Sequence, residues 1–133
     1  MSNNIFGINV KWTVWDNNPI VCWEWSGGRA SVKMTFPPIS VGVIHVNDAL
    51  VVAIVGSYEE FSSGNLNLYS LDGVFLQSYT APQLGEESQF GAVEEVGSSI
   101  RAVIGYLDNG RWKEVAGTLD LRSGFVDSIH RSY

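Results

Sequence analysis

A chain of 133 residues is long enough for one domain with its own core and too short for two ordinary ones. Hydrophobic residues at 45% against 17% charged mark a globular chain and exclude a disordered one. The net charge of −6 and the pI near 4.7 speak against a phosphate-backbone binder, which needs clustered Lys and Arg, so no nucleic-acid partner is expected.

Residues 5–15 alternate, with Ile8, Val10, Trp12 and Val14 on one side, which predicts a strand. Asp16-Asn17-Asn18-Pro19 turns the chain, because Asn tolerates left-handed angles and Pro presets its own φ. Residues 20–26 form a second strand, Gly27-Gly28 a tight turn, and residues 29–36 a third strand that Pro37-Pro38 stops. Strands at 40–46 and 50–57 flank Asn47-Asp48. The run Leu50–Val55 carries no polar side chain and is expected to be the most buried strand, covered on both faces. A loop, YEEFSSG, spans 58–64. Strands at 65–71 and 74–80 flank Asp72-Gly73, the strongest hairpin signal in the chain. The stretch 81–87, APQLGEE, has no pattern. Strands then follow at 90–96, 100–107, 112–121 and 125–130, separated by Gly97-Ser98, Asp108-Asn109-Gly110 and Arg122-Ser123-Gly124.

The scheme repeats. A displacement of about 50 residues lays Val43 on Val93, Leu50 on Ile100, Ile54 on Ile104, Leu71 on Leu121 and Phe75 on Phe125, and the turns coincide. The phrase NLNLYSLDGVFLQSYTAP, an alternating strand, Leu-Asp-Gly and a second alternating strand ending in an aromatic and Pro, resembles the outer strands of a β-propeller blade. The hallmarks of WD repeats are missing, so the resemblance implies geometry and no activity. The expected fold is all-β and antiparallel, a single domain over 1–133 with three four-stranded blade-like modules at about 5–38, 40–82 and 89–133. Those modules would form a partial β-propeller or a twisted meander, with a β-sandwich as the alternative. Closed propellers typically use four to eight blades, so a homodimer completing a ring of six is one expected outcome.

The single cysteine, Cys22, excludes an intrachain disulfide, and its neighbours Val21 and Trp23 point to a buried thiol. His45 and His130 have no second metal ligand at strand spacing, and no metal site, cofactor or catalytic set is expected. No apolar run approaches the roughly 18 residues of a membrane helix, and MSNNIFGINVKW is unlike a secretory leader, so a cytoplasmic protein is expected. Adjacent carboxylates recur at Glu59-Glu60, Glu86-Glu87 and Glu94-Glu95, the first two pairs on long loops. Loops held on rigid strands are where binding residues concentrate. The expected contact surface is therefore Glu59, Glu60, Phe61, Glu86 and Glu87, with Trp15 among tryptophans too numerous to be all core. The expected function is non-enzymatic protein binding, most concretely a bacterial immunity protein that neutralises a toxin such as a basic nuclease. A carbohydrate or small-ligand module using the Trp-rich first segment is the alternative, and a hydrolase working through Glu94 and His45 the third reading.

Overall fold

The computed structural model describes residues 1–12 and 19–131. Trp15 and the turn at Asp16 to Asn18 lie outside the described residues. Among the described residues, twelve strands form three four-stranded antiparallel sheets, each a meander of consecutive strands. The first holds β1 (Ser2–Ile5), β2 (Ile8–Trp12), β3 (Ile20–Trp25) and β4 (Gly28–Lys33). The second holds β5 (Ser40–Val46), β6 (Ala49–Val55), β7 (Leu66–Ser70) and β8 (Phe75–Tyr79), with one helical turn, α1 (Tyr58–Phe61), between β6 and β7. The third holds β9 (Glu86–Val96), β10 (Ser99–Asp108), β11 (Arg111–Leu119) and β12 (Val126–Arg131). The fold is thus all-β with three four-stranded modules, as the repeat requires.

Local chemistry accounts for the hairpins. Asn47 and Asp48 both adopt positive φ, at 50° and 66°, which is the geometry a two-residue turn between right-twisted strands demands. The single expected strand over 5–15 is corrected at its start. Phe6 and Gly7, at φ 52° and 78°, fold the chain back so that Ser2 pairs with Lys11 and Ile5 with Ile8. A Phe in a turn hides that hairpin from a reading that looks for Asn, Asp or paired Gly.

The second sheet is the middle layer. One face of it meets the first sheet, where Val10, Val21 and Trp23 pack with Val41, Val43, Val52 and Ile54. Its other face meets the third, where Ile44, Val51, Ala53, Val55 and Leu66 pack with Phe90, Ala102 and Ile104. Every residue from Val51 to Val55 is buried, which bears out the two-sided burial expected of this strand. Burial of a Val or Ile side chain is worth about 1.5–3 kcal/mol, so this one strand contributes heavily to stability.

The first strands of the second and third sheets lie side by side and run the same way. Ser40 Oγ donates to the carbonyl of Gly91 at 3.0 Å, and the His45 N–H donates to Glu95 Oε1 at 2.8 Å. Between them the backbone of Gly42 passes so close that a Cβ there would sit 2.9 Å from the Val93 carbonyl oxygen. These partners are separated by about one repeat length, so the periodicity in the sequence is the pitch of the stack.

Candidate functional site

β6 ends opposite Ser40, the first residue of β5, so α1 lies at the end of the stack where β5 begins. β9 runs parallel to β5 and starts at Glu86. The two acidic pairs, distant in sequence, therefore emerge at the same end, with a correction to their setting. Glu59 and Glu60 lie in α1, and Glu86 and Glu87 are the first residues of β9, which starts earlier than the expected residue 90 and takes them out of the loop.

Three of the expected contact residues present themselves to solvent there: Glu59, Glu86 and Glu87. Ser57 caps α1 by accepting the Glu60 N–H at 3.3 Å, which orients the turn and projects Glu59 outward. Ser88 Oγ accepts the N–H groups of Leu84 and Gly85 at 3.0 and 3.2 Å and donates to the Gly85 carbonyl, tying the loop before β9 into a fixed shape. Glu60 is engaged within the fold instead. Its Oε1 accepts the backbone N–H groups of Thr35 and Phe36 at 3.1 and 2.9 Å, anchoring the linker between β4 and β5. Phe61 is half-buried, its ring lying over Gly56 where any Cβ would overlap it. Trp15 falls outside the described residues. The sequence reading missed exposed Phe36 and Leu84 at this end, which flank the carboxylates with apolar surface. Exposed apolar residues carry no pattern in sequence unless the facing sheet is known.

The opposite end of the stack holds a second arrangement. His45 Nδ1 lies 2.9 Å from Glu95 Oε2, and Phe6 meets the imidazole edge-on with ring centroids 4.8 Å apart. The hydrogen bonds from the His45 N–H and imidazole hold the Glu95 carboxyl below the usual glutamate range. A cleft of about 720 Å³ adjoins the pair, bounded by the turns at Asn47-Asp48 and Gly97–Ser99 and by Thr118–Arg122. Glu94 and Glu95 point to opposite sides of β9, as adjacent strand residues must. His45 consequently pairs with Glu95, while Glu94 lies 3.5 Å from Arg101. The His45–Glu94 combination considered for hydrolysis is not the one the fold assembles. Among the described residues no three His, Cys, Asp or Glu side chains are placed to hold a metal ion.

Cys22 requires a correction: it is exposed. Val21 and Trp23 point into the core, and the two-residue period of the strand turns the residue between them outward. The tryptophans divide as well. Trp12 and Trp23 are buried between the first two sheets, Trp25 is half-buried, and Trp112 is exposed. Trp23 Nε1 donates to the Leu71 carbonyl at 2.8 Å, which satisfies its one polar atom inside the core.

Among the described residues, no helix is long and apolar enough to cross a membrane. Comparison with protein-family models, with curated proteins and with solved structures finds no match to this chain.

Proposed function

We propose that this chain is a non-catalytic protein-binding domain whose contact surface is the acidic end of the stack, and that its partner is a basic protein. The observation that carries this reading is that Glu59, on the turn capped by Ser57, and Glu86 and Glu87, in the first residues of β9 after the loop closed by Ser88, lie at one end of the stack with exposed Phe36 and Leu84. Carboxylates held on a rigid frame at the same end as exposed apolar side chains suit an interface, which combines a polar rim with an apolar centre. Such a charge pattern steers a basic partner and sets its on-rate. The most concrete version is an immunity protein that covers the phosphate-binding surface of a basic nuclease toxin.

The carbohydrate alternative receives less support. Trp12 and Trp23 are used in the core and Trp25 is half-buried, so among the described residues the first module presents no flat pair of exposed indoles to stack on a sugar.

The test is titration of the purified chain against a panel of basic nuclease domains, at low and high salt. E59K/E86K/E87K is expected to weaken the complex by at least about tenfold, or about 1.4 kcal/mol, and added salt to weaken the wild-type complex in parallel. An affinity indifferent both to the three substitutions and to salt refutes the acidic end as the contact surface.

A further inference from the structure

The second sheet is covered on both faces, whereas the first and third each have one face that no described segment covers. Strand register identifies the residues on these two outer faces. On the first sheet, Lys11 stands beside Cys22, Glu24 beside Arg29, and Lys33 beside Ile20. Three cations therefore share the face with one carboxylate. This is an unusual concentration, because the acidic chain has only eight Lys and Arg in all. None of Lys11, Arg29 and Lys33 lies within ion-pair distance of a carboxylate among the described residues.

The third sheet's outer face has the opposite balance. Glu94 stands beside Arg101, Thr118 beside Asp127, Glu114 beside Gly105 and Glu86 beside Leu107, so four carboxylates accompany one cation. Trp112 lies on this face as well, its indole across Gly105 and its Nε1 donating to Glu114 at 3.2 Å.

β1, β5 and β9 are each the terminal strand of their sheet. Together they line one groove of about 350 Å³, with Asn3 and Ile5 on one side, Ser40–Gly42 at the floor and Ala92–Glu94 on the other. A groove walled by the innermost strand of every module is half of the central channel that a closed ring of such modules would have.

We propose that two copies of the chain associate about a two-fold axis along this groove. The basic outer face of the first sheet of each copy packs on the acidic outer face of the third sheet of the other. The contact occurs twice, and the six modules close into a ring within the four to eight that propellers typically use. Closure by a second copy follows from the complementarity of the two faces: each face meets the sign it lacks, and Trp112 supplies an apolar anchor at the contact. The contact is polar and charged, in contrast to the apolar packing between sheets within one chain. Its association is therefore reversible and sensitive to salt.

Molar mass in solution, by light scattering or sedimentation, tests this. The wild-type chain is expected at twice its 14.6 kDa at low salt. It should shift towards the monomer between about 0.01 M salt, where charges act over about 30 Å, and about 1 M, where they act over about 3 Å. K11E/R29E and E94K/E114K, all at exposed positions, are each expected to be monomeric alone, since each sets like charge against like. Mixed in equal amounts, they should form a heterodimer, because one contact is native in sign and the other reversed on both sides. A monomeric wild type at every salt concentration overturns the proposal. So does a dimer that persists in both variants, or a mixture of the variants that stays monomeric.

Discussion

Replacing Asn65 with alanine should be among the most damaging single substitutions in this protein. The side chain is wholly buried where β7 begins, and it makes three hydrogen bonds of 2.8 Å. Its Nδ2 donates to the carbonyls of Gly56 and Phe90, and its Oδ1 accepts the Phe90 N–H. The amide thus clamps β9 of the third sheet to the second. Alanine leaves two buried carbonyls and one buried N–H without these partners. Each such loss costs about 1–3 kcal/mol, and because one group's relaxation relieves the others the sum should be about 3–5 kcal/mol. Set against a total stability of about 5–15 kcal/mol, that is a large fraction. Urea unfolding followed by far-ultraviolet circular dichroism and tryptophan fluorescence measures it, with the slope m compared between the two proteins. Asn65→Asp is the informative companion. It keeps the acceptor for Phe90 N–H but cannot donate when ionised, so it should also be strongly destabilised at neutral pH. A loss below about 1 kcal/mol for Asn65→Ala, a typical value for one exposed hydrogen bond, would refute the clamp.

Two further outcomes are expected. Glu95 has its carboxyl held below the ordinary glutamate range by His45, so the ionised form is favoured in the folded chain. Its contribution to stability is present above the unfolded value of about 4.3 and is lost as pH falls through the lower folded value. The urea midpoints of wild type and Glu95→Gln should therefore differ at neutral pH and converge in acid; a gap independent of pH contradicts the role of the ionised carboxylate. Cys22, exposed on β3 of the single chain but on the face that the proposed dimer covers, should react with a thiol reagent in native protein held monomeric at about 1 M salt at a rate close to that in denaturant. Protection of the native thiol by a hundredfold or more (about 2.7 kcal/mol of opening free energy) contradicts the outward placement of that side chain.

Much of the fold was legible along the chain because its determinants are local. The turns at Asn47-Asp48 and Asp72-Gly73 use residues that enter left-handed angles easily, and the structure places hairpins at both. Neighbouring carboxylates such as Glu94 and Glu95 face opposite sides of a strand and suit an edge position, and β9 is the terminal strand of its sheet. Phe6-Gly7 was illegible because its first position is a Phe at positive φ, a residue that does not signal a turn, although β1 pairs with β2 across it. Cys22 misled for a related reason: hydrophobic neighbours in a strand argue that the residue between them points outward, and their own burial says nothing in favour of its burial.

The candidate site divides along the same line. The acidic residues were visible as carboxylate pairs, yet the sequence could not separate Glu59, which faces solvent, from Glu60, which holds the amides of Thr35 and Phe36. Those amides lie on a linker between two other strands, and a contact of that kind leaves no periodic trace. The same holds for the pairing of His45 with Glu95, separated by one repeat, and for the three bonds of Asn65.

What the chain determined by itself is the set of strands, their hairpins, the repeat near 50 residues and the burial of Val51–Val55, because two-residue alternation and turn chemistry act between near neighbours. What only the tertiary structure decided is which sheet meets which, which carboxylates remain free, and which two faces stay uncovered at the ends of the stack. Those outcomes depend on side chains brought together from distant parts of the chain. The pitch of the stack turns out to be the repeat itself, read between β5 and β9.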